Sequence, residues 1–181
     1  MRKITRNLKL ETRNPYWFFV GILILIIGLW LGKSLNGPAF TPATFAHKYY
    51  FYGFPVDELR SNADRYPDQK KEIILGVSLY EQEKFQELSP ILAQLSSQYP
   101  EDRVFRFYSG LAAHYVKAKD KAIEALLPLS EQAGELQDEA TWYAALSYVL
   151  FNESEQAIAL LKSIKDGPYL DKAKGLIADL E

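Results

Sequence analysis

Cysteine is absent from the 181-residue sequence, and there are only two histidines, His47 and His114. Without thiols the chain has no disulfide framework, no thiolate metal site and no lipid-modified cysteine. The two histidines fall in different predicted helices, and neither has an acidic residue at helical ligand spacing. The missing thiols leave both oxidising and reducing compartments open to the chain.

Patterns typical of catalysis are also missing. Serines such as Ser109 and Ser147 lie inside predicted helices rather than at a strand-to-helix turn, and the glycines do not cluster into a phosphate-binding loop. We therefore expect no catalytic residues, no metal site and no cofactor. An enzyme is kept only as a third alternative.

Charge is divided unevenly along the chain. Residues 1–37 carry six Lys or Arg and one Glu, a net charge of +5, which leaves −7 for the remainder of a chain whose total is −2. Binding to phosphates would require the opposite sign on the folded part. The pattern argues against nucleic acid as a partner and makes the basic leader a signal of membrane topology.

One long uncharged run follows the basic leader. Nineteen residues from Asn14 to Gly32 carry no charge, and at the helical rise they span about 28 Å, close to the hydrocarbon thickness of a bilayer. Trp17 and Trp30 fall near the two interfaces, where tryptophan is enriched. The run predicts a transmembrane helix over residues 15–33.

The direction of this anchor follows from the basic residues before it. Lysine and arginine concentrate in the leader, residues 1–14, which should therefore be cytoplasmic. After a linker, residues 34–44, the C-terminal domain should be periplasmic in a bacterial inner membrane. A cleaved secretory signal is the alternative, although signal cores are shorter and end at a small-x-small site. Gly28 and Gly32 form a small-xxx-small pair that could bring two copies together as a homo-oligomer.

The remaining sequence repeats itself at about 34 residues, a period typical of helical repeat proteins. Tyr-Pro pairs end helical stretches at Tyr66 and Tyr99, 33 positions apart. Small residues recur in mid-helix at Gly76, Gly110 and Ala145. This spacing predicts an all-α domain over residues 45–181. Its units lie near residues 45–68, 69–102, 103–137 and 138–170, with a capping helix over 170–181.

These residues resemble the tetratricopeptide repeat (TPR) family over roughly residues 69–170. The family has a small residue in its first helix, as at the three positions just named, and an alanine early in its second, matched by Ala122 and Ala157. A proline near the repeat end is matched by Pro100, whereas Leu88 and Gly134 depart from the pattern. The resemblance implies a TPR-like α-solenoid of about three to four helix pairs plus the cap.

The resemblance also implies that the first helix of each pair lines a concave groove that binds a peptide or helix of another protein. The candidate groove residues are Tyr80, Phe107, Leu111, His114, Tyr115, Trp142 and Leu146. The alternative for each ring is that it packs against the N-terminal helix pair, the unit predicted near residues 45–68, or against the linker. The membrane-anchor residues singled out are Trp17, Gly28, Trp30 and Gly32.

Two functional hypotheses follow. The first is a membrane-tethered protein–protein interaction scaffold or chaperone-like accessory subunit of a cell-envelope complex. The second is a purely structural subunit of a membrane complex, whose groove is filled by its own N-terminal pair and whose partners meet other surfaces.

The predicted topology can be tested with a cysteine placed at Ser97, because the chain has no other thiol. We expect a membrane-impermeant maleimide to label this cysteine in intact spheroplasts. Labelling only after lysis would reverse the orientation.

Overall fold

Helices make up all the regular structure in the part of the chain that the computed structural model describes, namely Tyr49 and residues 54–181. The predicted all-α class is confirmed for these residues. The eight helices are α1 (Asp57–Arg65), α2 (Lys70–Glu81), α3 (Phe85–Gln98), α4 (Arg103–Tyr115), α5 (Lys119–Glu131), α6 (Gln137–Leu150), α7 (Ser154–Leu161) and α8 (Leu170–Leu180). A short 3-10 turn, Pro67–Gln69, joins α1 to α2.

Six of the helices form three hairpins, α2–α3, α4–α5 and α6–α7, whose turns share one backbone conformation. A single left-handed residue ends the first helix of each hairpin: Glu83 (φ 57°), Lys117 (φ 59°) and Asn152 (φ 60°). The next N–H donates to a carbonyl five positions earlier, from Lys84 to Leu79, Ala118 to Ala113 and Glu153 to Tyr148. This is the Schellman motif. The motif recurs after 34 residues and then after 35, so the backbone repeats at the period of the sequence pattern.

Successive helices pack against one another from α2 to α8, and the first helices α4 and α6 also touch directly. The crossing of α4 and α5 is closest at Gly110, where an added Cβ would lie 2.5 Å from Leu126 Cγ. At Gly76, the equivalent position of the first hairpin, the nearest atom to an added Cβ is a Leu88 methyl at 3.6 Å. Two glycines at the same repeat position therefore have different packing requirements.

The junction between the second and third hairpins depends on Arg103. Its guanidinium donates to the carbonyls of Leu129 and Gln132, which are acceptors at the end of α5, and to that of Glu135 in the following loop. Gly134 lies against this guanidinium with φ 150°, a conformation that side chains disfavour. The backbone thus accounts for a glycine where the repeat pattern has proline.

Helix α1 packs against both α2 and α4. Its Leu59 and Ala63 are buried. Apart from Tyr49, residues 45–53 of the first predicted unit lie outside the part of the chain that the structure describes.

The predicted anchor, with Trp17, Gly28, Trp30 and Gly32, lies outside the described residues. Within Tyr49 and residues 54–181, no helix has both the length and the apolar character needed to cross a membrane.

The two glycine sites give a matched pair of substitutions. Gly110→Ala should lower the free energy of unfolding by about 1–3 kcal/mol, because the new methyl overlaps Leu126. Gly76→Ala should leave it unchanged or raise it by roughly 0.5–1 kcal/mol, because alanine favours a helix interior. Urea unfolding of the purified chain, followed by circular dichroism, measures both changes. Equal effects at the two positions would contradict the described crossing.

Candidate functional site

The residues predicted to line a groove share one face of the hairpin stack, formed by α2, α4 and α6. We call it the first-helix face. Six of the seven candidates are buried, namely Tyr80, Phe107, Leu111, His114, Trp142 and Leu146, and Tyr115 is half-buried. Trp142 is 0% exposed. The structure therefore brings the predicted residues together but does not present them to solvent.

The chain's own N-terminal residues cover one end of this face. The ring of Phe54 lies 4.9 Å from the ring of Phe107 and 5.9 Å from that of Tyr108, measured between centroids. The Tyr108 hydroxyl donates a hydrogen bond to the carbonyl of Pro55. Leu59 of α1 is fully buried in the same region. The segment leading into α1 thus occupies the space where a partner was expected.

Tyr49 covers the other end. Its ring lies 6.2 Å from that of Trp142, and its hydroxyl lies 2.5 Å from a carboxylate oxygen of Asp179 in α8. Tyr169 packs on Trp142 as well, at 5.6 Å. We refer to Tyr49 together with residues 54–66 as the strap. Because Tyr49 contacts α6 and α8 while α1 contacts α2 and α4, the strap runs opposite to the order of the hairpins.

A buried carboxylate fastens the end of the strap. Asp102 begins α4 and accepts a hydrogen bond from the N–H of Phe105 at 2.9 Å, the usual role of an N-cap. It also accepts from Asn62 Nδ2 at 3.1 Å, from the Tyr66 hydroxyl at 2.9 Å and from Arg65 at 3.3 Å. The Asp102 side chain is only 2% exposed. Four donors therefore stabilise a charge that burial alone would disfavour.

Beneath the strap, the first-helix face is a layer of rings in mutual contact. Tyr80 meets Tyr108 edge-on at 5.8 Å, and Phe107 meets Tyr143 edge-on at 6.2 Å. Burial raises the pKa of Tyr80 and of Tyr143, and interactions with Tyr115 raise it further. The phenols therefore stay neutral, and the layer acts as an apolar core with internal hydroxyls.

His114 is part of this core rather than a ligand or a surface residue. Its Nδ1 lies 2.8 Å from Ser147 Oγ, and that hydroxyl donates to the carbonyl of Tyr143 at 2.8 Å. Since the serine proton is used there, Nδ1 carries the imidazole proton and donates it to Ser147. Burial lowers the pKa of His114 to about 3. The ring is neutral at physiological pH.

The sequence analysis kept a groove filled by the chain's own N-terminal pair as an alternative, but it did not identify the residues that fasten the strap. Asp102 could have been found, because an aspartate after Pro100 at a helix start is a common N-cap. Its contact with Asn62 joins residues 40 positions apart, and no local pattern signals it. Among Tyr49 and residues 54–181, there is no group of three or more His, Asp or Glu that could hold a metal ion.

No family model matches the chain, and neither the curated proteins nor the solved structures include a match.

The depressed pKa of His114 makes stability depend on pH. In the folded protein the ring stays neutral down to about pH 3, whereas in the unfolded chain it binds a proton near pH 6.5. This contribution is therefore complete above pH 6.5 and falls as the pH drops towards 3, by up to about 1.4 kcal/mol per pH unit. His114→Gln should abolish this contribution, so the free energy of unfolding of the variant should fall less steeply with decreasing pH below 6.5 than that of the parent protein. Denaturant titrations at several pH values measure it, and an unchanged slope would place the imidazole in water.

Proposed function

We propose that this chain is a membrane-tethered scaffold that binds other proteins, a chaperone-like accessory subunit of a cell-envelope complex rather than an enzyme. It is held by residues 15–33 in a bacterial inner membrane, with the basic leader cytoplasmic and the helical domain periplasmic. Tethering confines the domain to a layer beside the membrane, which raises its effective concentration towards partners in that layer.

We also propose that the three hairpins form a TPR-like α-solenoid with α8 as its cap. Three observations support this assignment: the Schellman turns recur at 34 and 35 positions, a small residue stands at each mid-helix crossing, and α8 packs on α7. Repeat stacks of this kind need a terminal element to cover their last apolar surface, and they offer extended surfaces for binding proteins.

The observation that carries the mode of binding is the contrast between covered and uncovered apolar residues. The first-helix face is buried beneath the strap, whereas Leu75 is 50% exposed, Ile74 44% and Phe151 41%. Exposed large apolar side chains are candidates for protein contacts when they cluster, and Ile74 and Leu75 are neighbours on α2. The geometry thus supports a scaffold whose groove is filled from within and whose partners meet its outer surface, a binding mode that it shares with the second functional hypothesis.

The outer-surface mode can be tested by placing a photo-crosslinking phenylalanine analogue at Leu75, with Gln94 as the control. Both positions are exposed, but only Leu75 lies in the apolar pair. In native membranes we expect Leu75 to yield one discrete adduct, identified by mass spectrometry as another envelope protein. Gln94 should yield none.

Absence of any adduct from Leu75, and equally from Phe151, would contradict binding through these surfaces. Adducts made only with second copies of the chain would replace the scaffold by a homo-oligomer.

A further inference from the structure

We propose that the strap is a displaceable internal ligand of the first-helix face, and that the partner which replaces it is a short helix preceded by an aromatic residue. This inference deepens the proposed function, on which it rests, by adding a second binding surface that opens when the strap leaves. The strap itself defines the chemistry of that partner, because it already occupies the site.

The strap holds the face with few groups. Helix α1 has nine residues and buries only Leu59, Asn62 and Ala63, whereas α4 buries nine of its thirteen. A helix this short is marginal by itself in water, so it remains helical only while it is docked. The Arg60–Glu81 ion pair beside it is about half exposed and contributes little. Undocking therefore disrupts far fewer contacts than unfolding the hairpins.

Both ends of α1 are bordered by open crevices. At its start, a crevice of about 420 Å³ lies between Phe54 and Asp57 on one side and Tyr80 and Phe85 on the other. At its end, another of about 500 Å³ lies between Arg65 and the turn at Pro100. Solvent therefore reaches both ends of α1, where Asp57 and Arg65 are exposed.

One polar group at the contact is left unsatisfied. Asn62 donates from Nδ2 to Asp102, but its buried Oδ1 has no donor among the residues that the structure describes. A buried acceptor without a partner opposes docking, because water would satisfy it in the undocked state. The hydrogen bonds that Asp102 accepts from the strap, which we call the latch, thus fix the position of α1 but leave the Asn62 Oδ1 acceptor unsatisfied.

The spacing of the strap side chains describes the partner. Phe54 fills the site beside Phe107, Leu59 follows five positions later, and Asn62 three positions after that on the same side of α1. A competing segment needs an aromatic ring, a large aliphatic residue and a donor for Asp102 at comparable spacing. Such helix-in-groove recognition uses the same anchors that hold α1.

Cysteine reactivity can measure the opening of the strap, because the 181-residue chain has no native thiol. Ala63→Cys places a thiol in the buried side of α1, and Ala122→Cys places a control in α5; the alanines are 3% and 0% exposed. In detergent micelles, a thiol reagent should label the α1 cysteine at least about 100-fold faster, because local undocking requires less free energy than global unfolding. Equal rates at the two positions would overturn the proposal.

The latch at Asp102 offers a second test of the proposal. Asp102→Asn retains a side-chain oxygen to cap α4 but loses the charge that attracts Arg65 and strengthens the bond from Tyr66. It should accelerate labelling in α1 about tenfold and leave labelling in α5 unchanged. Glu101→Gln, the neighbouring exposed carboxylate, is the matched control and should change neither rate. Equal acceleration at both thiols after Asp102→Asn would show general destabilisation and contradict the latch.

A synthetic peptide of residues 54–66 tests the ligand chemistry. Added in excess to the Ala63→Cys protein, it should increase labelling severalfold by occupying the vacated face, whereas a peptide with Leu59→Asp should not. No increase with the native peptide would overturn the proposed partner chemistry. If the strap stays closed while Leu75 still crosslinks, the strap proposal fails and the proposed function stands. If the strap opens but neither Leu75 nor Phe151 gives an adduct, binding through the outer surface fails and the displaceable strap stands.

Discussion

The Phe54 ring lies on the rings of Phe107 and Tyr108 in α4, and this contact determines which surfaces of the domain remain open to other molecules. A face containing Phe107, Tyr108 and Trp142 would form a large apolar patch if nothing covered it, and monomeric proteins rarely expose such patches. The strap supplies the cover from the same chain. It also places these rings in the interior, so in the proposed function a partner would contact the outside of the stack, or this face after the strap has left.

Two structural features recur in the hairpins beneath the strap, namely the turn conformation and a small residue at the helix crossing. Every turn ends its first helix with a left-handed residue, yet none of the three is glycine, so each turn retains some backbone strain. The crossings depend on small residues to different degrees. A methyl group added at Gly110 would overlap Leu126, whereas Gly76 leaves room for a methyl group. The crossing in the second hairpin is therefore tighter than the crossing in the first, and the second hairpin also contacts the strap through Phe107, Tyr108 and Asp102.

Local information accounts for much of the fold but little of the site. Periodic apolar residues and small mid-helix residues predict an all-α domain, which the described residues confirm, and the TPR assignment stays a prediction. The same periodicity identifies Phe107 and Trp142 as members of one apolar face, but it cannot tell a face that binds a partner from one that another segment covers. That distinction depends on contacts such as Phe54 with Phe107, 53 positions apart, and Asn62 with Asp102, 40 apart. His114 illustrates the same difficulty, because only the packing around it identifies a neutral core histidine.

Trp142 provides the most direct measure of whether the first-helix face is covered in solution. The chain has three tryptophans, so replacing Trp17 and Trp30 by phenylalanine leaves Trp142 as the single indole. Acrylamide quenching of its fluorescence in the folded protein should be several-fold weaker than in the urea-unfolded chain, with blue-shifted emission, because the indole is enclosed between Tyr49 and Tyr169. Quenching close to that of the unfolded chain, while circular dichroism still reports a folded helical domain, would show an open face and contradict the covered structure.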